Sequence, residues 1–136
     1  MFFLMVPKAQ ASHLLGGEIY WECTTNGQYI FTLVLYRDCT GANIPTGTQN
    51  INGPFGNIPC TYITALSGDV SPDCPNSALD INCASGDNGA IEKGVYRSSP
   101  TSLNGAPPTA GWVFSWTSCC RPSLVNTNAS GYFLRS

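Results

Sequence analysis

The amino-acid sequence predicts an all-β domain, and three observations carry that prediction. First, 14 glycines and 10 prolines, with abundant Ser, Thr and Asn, cut the chain into short segments, a composition that suits brief strands joined by turns better than long helices. Second, several of those segments alternate apolar and polar residues with period two, and no stretch of useful length repeats apolar residues at helical spacing. Third, seven cysteines lie within 136 residues, a density that fits a disulfide-linked, exported protein. This length holds one hydrophobic core, since a compact domain takes roughly 100 to 150 residues.

The chain opens on an apolar run, Met1 to Val6, and Ala9-Gln10-Ala11 supplies the small-x-small triplet that precedes a signal-peptidase cut. Residues 1–11 are expected to be a signal peptide, shorter than most, and residues 12–136 a single mature domain beginning at Ser12. Glu18 to Cys23 and Gln28 to Cys39 predict a hairpin around Thr24-Thr25-Asn26-Gly27, because Asn-Gly accepts positive φ at both centres of a type I′ turn. In the second strand Tyr29, Phe31, Leu33 and Leu35 share one face while Ile30, Thr32, Val34 and Tyr36 share the other. Both faces are apolar, so this strand belongs in the middle of a sheet.

From Thr40 to Pro59 the alternation gives way to Gly, Asn and Pro, which reads as a long surface connection. Thr61 to Leu66 predicts a short strand, and Ser67 to Gly89 a second long loop that holds Asp69, Asp73, Asp80 and Asp87. Ala90 to Ser98 alternates as a strand, Pro100 to Ala110 is a turn-rich link, and Gly111 to Ser118 alternates again. There Trp112, Phe114 and Trp116 point one way, and Val113, Ser115 and Thr117 the other. Gly131 to Arg135 predicts a last strand. About six strands with non-local pairing and interspersed cysteines predict an antiparallel immunoglobulin-like β-sandwich stapled by disulfides.

The disulfide candidates are Cys23, Cys39, Cys60, Cys74, Cys83, Cys119 and Cys120. A zinc site is the weaker explanation, because the chain has one histidine, His13, no Cys-x-x-Cys pair, and neighbouring Cys119-Cys120 that fit poorly around one tetrahedral ion. An odd number leaves at least one thiol free or paired outside this chain. Cys39 and Cys119-Cys120 end two predicted strands, so a bridge between them would close a loop of about 80 residues and stabilise by about 4 kcal/mol. Cys60, Cys74 and Cys83 fall in the Pro/Gly/Asn-rich middle, where a bridge would order a loop with little core of its own.

Charge narrows the partners. Only 10% of residues are charged, against about 25% in an average soluble domain. The six Lys and Arg residues are never adjacent and the net charge is -2, which leaves no basic stripe for a phosphate backbone and no polybasic patch for an anionic membrane. No apolar run approaches the roughly 20 residues that span a bilayer. A secreted, extracellular chain is expected, without a membrane span and without nucleic acid as a partner.

Several motifs stand in a fixed order: Ser12 to Ile19 (SHLLGGEI), Tyr36-Arg37-Asp38-Cys39 (YRDC), Glu92 to Arg97 (EKGVYR) and Cys119-Cys120-Arg121 (CCR). In these the chain resembles the N-terminal region of large secreted Bacteroidota surface proteins, many of which end in a gliding-motility-associated or type IX secretion sorting domain. The resemblance spans most of the mature chain and implies a secreted or surface-attached β module of adhesins and extracellular assemblies. It implies no catalytic residues. This chain departs from the pattern in carrying no sorting domain and no tandem repeats, which suits either the N-terminal module of a longer protein or a short stand-alone relative.

Candidate chemistry is sparse, and an enzyme is not expected. His13 sits beside the proposed mature terminus, a poor anchor for a catalytic triad. Glu18 and Glu22 share a strand face and imitate a glycosidase carboxylate pair, although two solvated acids on an outer face are commoner. Arg37 and Asp38 point to opposite faces, so each is expected to find its own partner and to fix the strand end and the loop after it. Asp69, Asp73, Asp80 and Asp87 are the only candidate calcium ligands, though they lack a known calcium-loop spacing. Trp112, Phe114 and Trp116 offer a sugar-stacking platform, but aromatic rows of this period more often pack a core. Asn128-Ala129-Ser130 matches a glycosylation acceptor. The function expected is a non-catalytic structural or adhesion module at the bacterial cell surface, needing no cofactor. The second expectation is a self-assembling extracellular filament subunit that exchanges strands, and the third a carbohydrate-binding domain. Partners are accordingly other cell-surface or extracellular proteins, a second copy of the chain, or glycans.

Overall fold

The structure is a computed structural model that describes residues 14–73, 80–118 and 132–136. The expected signal peptide, residues 1–11, with His13, Cys74, Cys119, Cys120 and Asn128-Ala129-Ser130, lies outside the described residues. The strands are β1 (Leu14–Cys23), β2 (Tyr29–Asp38), β3 (Gln49–Gly53), β4 (Gly56–Tyr62), β5 (Gly68–Asp69), β6 (Ile91–Ser98), β7 (Ser115–Ser118) and β8 (Tyr132–Arg135). Every pairing is antiparallel, in the order β1-β2-β6-β4-β3-β7-β8, with β5 on β6 beside this path.

The chain is thus all-β and antiparallel, with strands joined in one continuous sheet that curls like a barrel. The expectation is met at the level of an all-β, antiparallel fold with a disulfide; β6 pairs with β2 on one side and β4 on the other and so carries the sheet across what in a sandwich would be a gap between two layers. The first and last strands meet by side-chain packing. A Cβ added at Gly17 in β1 would sit 2.8 Å from Leu134 Cδ1 of β8 and 2.5 Å from the Val34 carbonyl oxygen, so only glycine permits this approach.

Alternation fills the interior. Phe31, Leu33 and Leu35 of β2, Ile51 of β3, Cys60 of β4 and Tyr96 of β6 are fully buried there, with Ile19, Ile44, Ile58, Phe114 and Trp116 packed around them. The opposite face of β2 is covered too, at Thr32 and Val34, and β2 lies between β1 and β6 as its two apolar faces predict.

Several boundaries differ from expectation, among them the loop expected from Ser67 to Gly89, which contains β5, and the strand expected from Gly111 to Ser118, of which only Ser115–Ser118 forms one. The β1–β2 turn is not the two-residue type I′ form. Gly27 donates to the Thr24 carbonyl at 3.1 Å, leaving Thr25 and Asn26 as the central pair, and Gly27 itself takes φ 71°. That is a three-residue loop with glycine in the left-handed position, another common hairpin connection. The expected loop from Thr40 to Pro59 contains the β3–β4 hairpin, in register from Gln49 opposite Cys60 to Gly53 opposite Gly56. The expected strand from Thr61 to Leu66 splits: Thr61 and Tyr62 end β4, and Thr64–Leu66 form a single 3-10 turn.

Cys39 bridges Cys83 across a sequence separation of 44; the sequence leaves the connectivity open, and this bridge replaces the one to Cys119-Cys120 that the strand ends favour. The β2–β6 register puts Asp38 opposite Ile91, and the Cys39 amide donates to the Ala90 carbonyl at 3.0 Å. The loop leading into β6 therefore arrives beside Cys39 and carries Cys83 with it. No helix of the described residues is long and apolar enough to cross a membrane.

Candidate functional site

Two clefts adjoin where β1 and β2 meet the link between β6 and β7. Trp21 and Tyr29 stand on neighbouring strands with Cys23 opposite Tyr29, and their rings meet edge to face at 5.5 Å. The β2–β6 ladder ends at Thr32, opposite Arg97. Ser98 Oγ accepts the Phe31 amide at 2.9 Å, and Tyr29 and Thr101 exchange two backbone hydrogen bonds of 2.8 and 2.9 Å. That exchange lays Thr101 to Asn104 along the rim, and Gln28 Nε2 donates to Ser102 Oγ at 3.3 Å.

The first cleft, about 330 Å³, is walled by Trp21, Tyr29, Leu103, Pro107 and Trp112 over a floor of Phe31 and Phe114, whose rings lie 4.6 Å apart. The second, about 240 Å³, runs between the β3–β4 turn and the link, with Asn57, Thr101, Ser102 and Asn104 among its polar groups and Phe55 among its apolar ones. Leu103 and Phe114 line both. Phe55 stands edge to face with Trp112 at 5.8 Å and joins the two lobes. Trp21 and Phe55 are 49% and 54% exposed, a large apolar area to leave open to water. No Asp, Glu, Lys, Arg or His is among the described residues that line either lobe.

The chain matches no family model, no curated protein and no solved structure. The site therefore rests on its geometry.

The row of Trp112, Phe114 and Trp116 is largely interior, as its period-two spacing favours over a sugar-stacking platform. Phe114 and Trp116 are buried, and Trp116 Nε1 donates to Gln49 Oε1 at 3.3 Å, because their strand face turns into the barrel. Trp112 alone of the three reaches the cleft wall as a half-buried ring. The sequence reading missed Trp21, Tyr29, Phe55 and the stretch from Thr101 to Asn104. Phe55 carried a usable signal, an aromatic ring between Pro54 and Gly56 in a turn, where no core can receive it.

Asp69 and Asp87 serve the loop. Asp69 Oδ1 accepts the Ser71 amide at 2.8 Å and the Ser71 hydroxyl at 2.5 Å, and Oδ2 accepts the Cys83 amide at 2.7 Å. These bonds, the Ser71 hydroxyl first, hold its carboxyl below the ordinary 3.8. Asp87 Oδ2 accepts the Asn82 amide at 2.9 Å, and Asp73 and Asp80 are exposed. Among the described residues no three His, Cys, Asp or Glu side chains gather as a metal site.

Glu18 and Glu22 lie on the outer face. Glu18 accepts the Tyr36 hydroxyl at 3.4 Å, and Glu22 pairs with Arg97. Arg37 and Asp38 find separate partners as their opposite faces predict. Arg37 Nε donates to Glu92, and its Nη1 to the carbonyls of Asp38, Cys39 and Gly41. Asp38 accepts the Thr40 amide and hydroxyl. Arg37 also borders a smaller cleft of about 120 Å³ with Leu14, Ile44 and Trp116. Of the other described cysteines Cys23 is exposed and Cys60 is buried, and both are unbridged. Burial pushes the Cys60 thiol up to about 11, so it stays protonated and unreactive at neutral pH.

Proposed function

We propose that this chain is a non-catalytic module of the cell exterior that acts in adhesion or surface architecture. The observation that carries the reading is the charge-free aromatic cleft, with exposed rings at its mouth on a sheet fastened by Cys39–Cys83. A contact surface of large, rigid rings ringed by neutral polar groups binds partners with little ordering cost. The disulfide favours an oxidising location, and the motif resemblance to secreted Bacteroidota surface proteins leads to the same place. The test uses the full chain produced with export. Secreted protein should lose mass equivalent to two hydrogens per bridge relative to its reduced form, and beads coated with it should adhere to cell or matrix surfaces. Protein found only inside cells with every thiol reduced, or coated beads that neither adhere nor assemble, would refute the proposal.

A second reading, a filament subunit that exchanges a strand, is favoured by the way the sheet closes. β1 and β8 lie side by side with no backbone pairing between them among the described residues, and β7 joins β3 through the pair Asn52 and Ser115. Such edges accept a foreign strand. Polymerisation of purified protein, with cross-links joining β1 of one copy to β8 of another, would establish this reading, and a monomer at high concentration would remove it.

A further inference from the structure

We propose that the two-lobed cleft binds a short neutral carbohydrate chain, an inference that rests on the adhesion reading and names its ligand class. Three features of the lining select that chemistry. The first is charge complementarity. With no ionisable side chain other than the Tyr29 phenol among the described lining residues, a charged ligand would leave water without a partner for its charge. The second is the aromatic wall. Trp21, Trp112 and Phe55 present ring surface to solvent, and the C–H faces of a sugar ring pack on aromatic faces through dispersion and weak C–H contacts.

The third is the polar rim. Asn57, Ser102 and Asn104 are exposed along the second lobe. An amide carries donors and an acceptor together, and a sugar hydroxyl is likewise both. A wholly apolar ligand would strip water from these groups and return nothing. Size agrees: the lobes of about 330 and 240 Å³ bracket the lower end of the roughly 300 to 1,000 Å³ of ligand pockets. They suit successive sugar units on either side of the Phe55–Trp112 pair.

The experiment measures quenching of intrinsic tryptophan fluorescence in the full, oxidised chain. The probes are neutral oligosaccharides of glucose, mannose, galactose and xylose, sulfated and uronate-containing oligosaccharides, and a proline-rich peptide. Neutral oligosaccharides should bind. Trp21→Ala and Trp112→Ala should each weaken that binding about tenfold or more. Asn104→Ala, a change at an exposed loop position that leaves the core alone, should weaken it less but in the same direction. Tyr20→Ala, which removes an exposed ring outside the cleft, should leave it unchanged. Near-ultraviolet circular dichroism and the oxidised mass verify folding of each variant. Binding confined to charged oligosaccharides or to the peptide, absence of binding to every probe, or neutral-sugar binding untouched by the cleft variants would each overturn the inference. Coated beads that still adhere while no neutral sugar binds would sink this inference alone, and loss of both would sink the adhesion reading with it.

Discussion

At Arg37 a guanidinium stands where the inner face of β2 reaches the end of the barrel, with only a tenth of its side chain exposed. A charge so enclosed needs a full set of acceptors. Glu92, opposite it in β6, supplies one, and the carbonyls of Asp38, Cys39 and Gly41 supply the others. Arg37→Ala orphans those carbonyls and the carboxylate together and should lower unfolding free energy by about 2 to 3 kcal/mol, somewhat below a fully buried pair because Glu92 is a quarter exposed. The denaturant midpoint should fall with an unchanged slope. Arg37→Lys should recover only part, since an ammonium lacks the planar fork. Asp69 gives a pH signature. Its carboxyl is held below 3.8 by the Ser71 and Cys83 donors, so the folded state binds a proton less readily than the unfolded chain. The stability it contributes is whole above its ordinary value and is lost as pH falls through the lower, folded one. The stability difference between the natural protein and Asp69→Asn should accordingly shrink across that acid window; a constant difference would show that the carboxyl has no such role.

Among the elements, β1, β2 and β6 were legible because alternation there is strong and apolar on the buried face. The faces of Trp112 to Thr117 were legible for the same reason, although the paired part is only Ser115–Ser118. β3 and β4 were hidden by their outer positions. Asn50, Asn52, Asn57 and Pro59 face outward there, so turn-forming residues sit between the inward Ile51, Ile58 and Cys60 and mask the period. Pro59 is tolerated because β4 pairs with β6 only from Cys60 onward. The cleft was illegible for a different reason: Trp21 of β1, Phe55 of the β3–β4 turn and Trp112 of the β6–β7 link are far apart in sequence and meet only once the Tyr29–Thr101 exchange folds the link back. No local pattern reports such a meeting. The approach of β1 to β8 is testable at its tightest point. Gly17→Val must push against the Val34 carbonyl and Leu134 and should destabilise by about 2 to 3 kcal/mol. Gly16→Ala, one residue away with open space around it, should cost far less, and equal losses would show that the contact is unimportant.

For the whole molecule, the Cys39–Cys83 bridge ties the end of a central strand to the loop that enters β6, across 44 residues of sequence. In the chain-entropy account a loop of that size is worth about 4 kcal/mol, chiefly by restricting the unfolded chain. Cys39→Ser with Cys83→Ser should lower stability by up to that amount and raise the denaturant slope, because the freed chain exposes more surface when it unfolds. A mild reductant should move the natural protein toward the variant and leave the variant where it is. The way the sheet closes on itself has a further consequence for proton traffic. Alternate amides of an antiparallel strand point to opposite sides, so those of β1 fall into two sets, one bonded to β2 and one facing away from it, and among the described residues no pairing joins β1 to β8. Deuterium should enter the second set long before the first, and the barrel wall should show one lengthwise stripe of fast-exchanging amides beside strands that are protected by the full cooperativity of the fold.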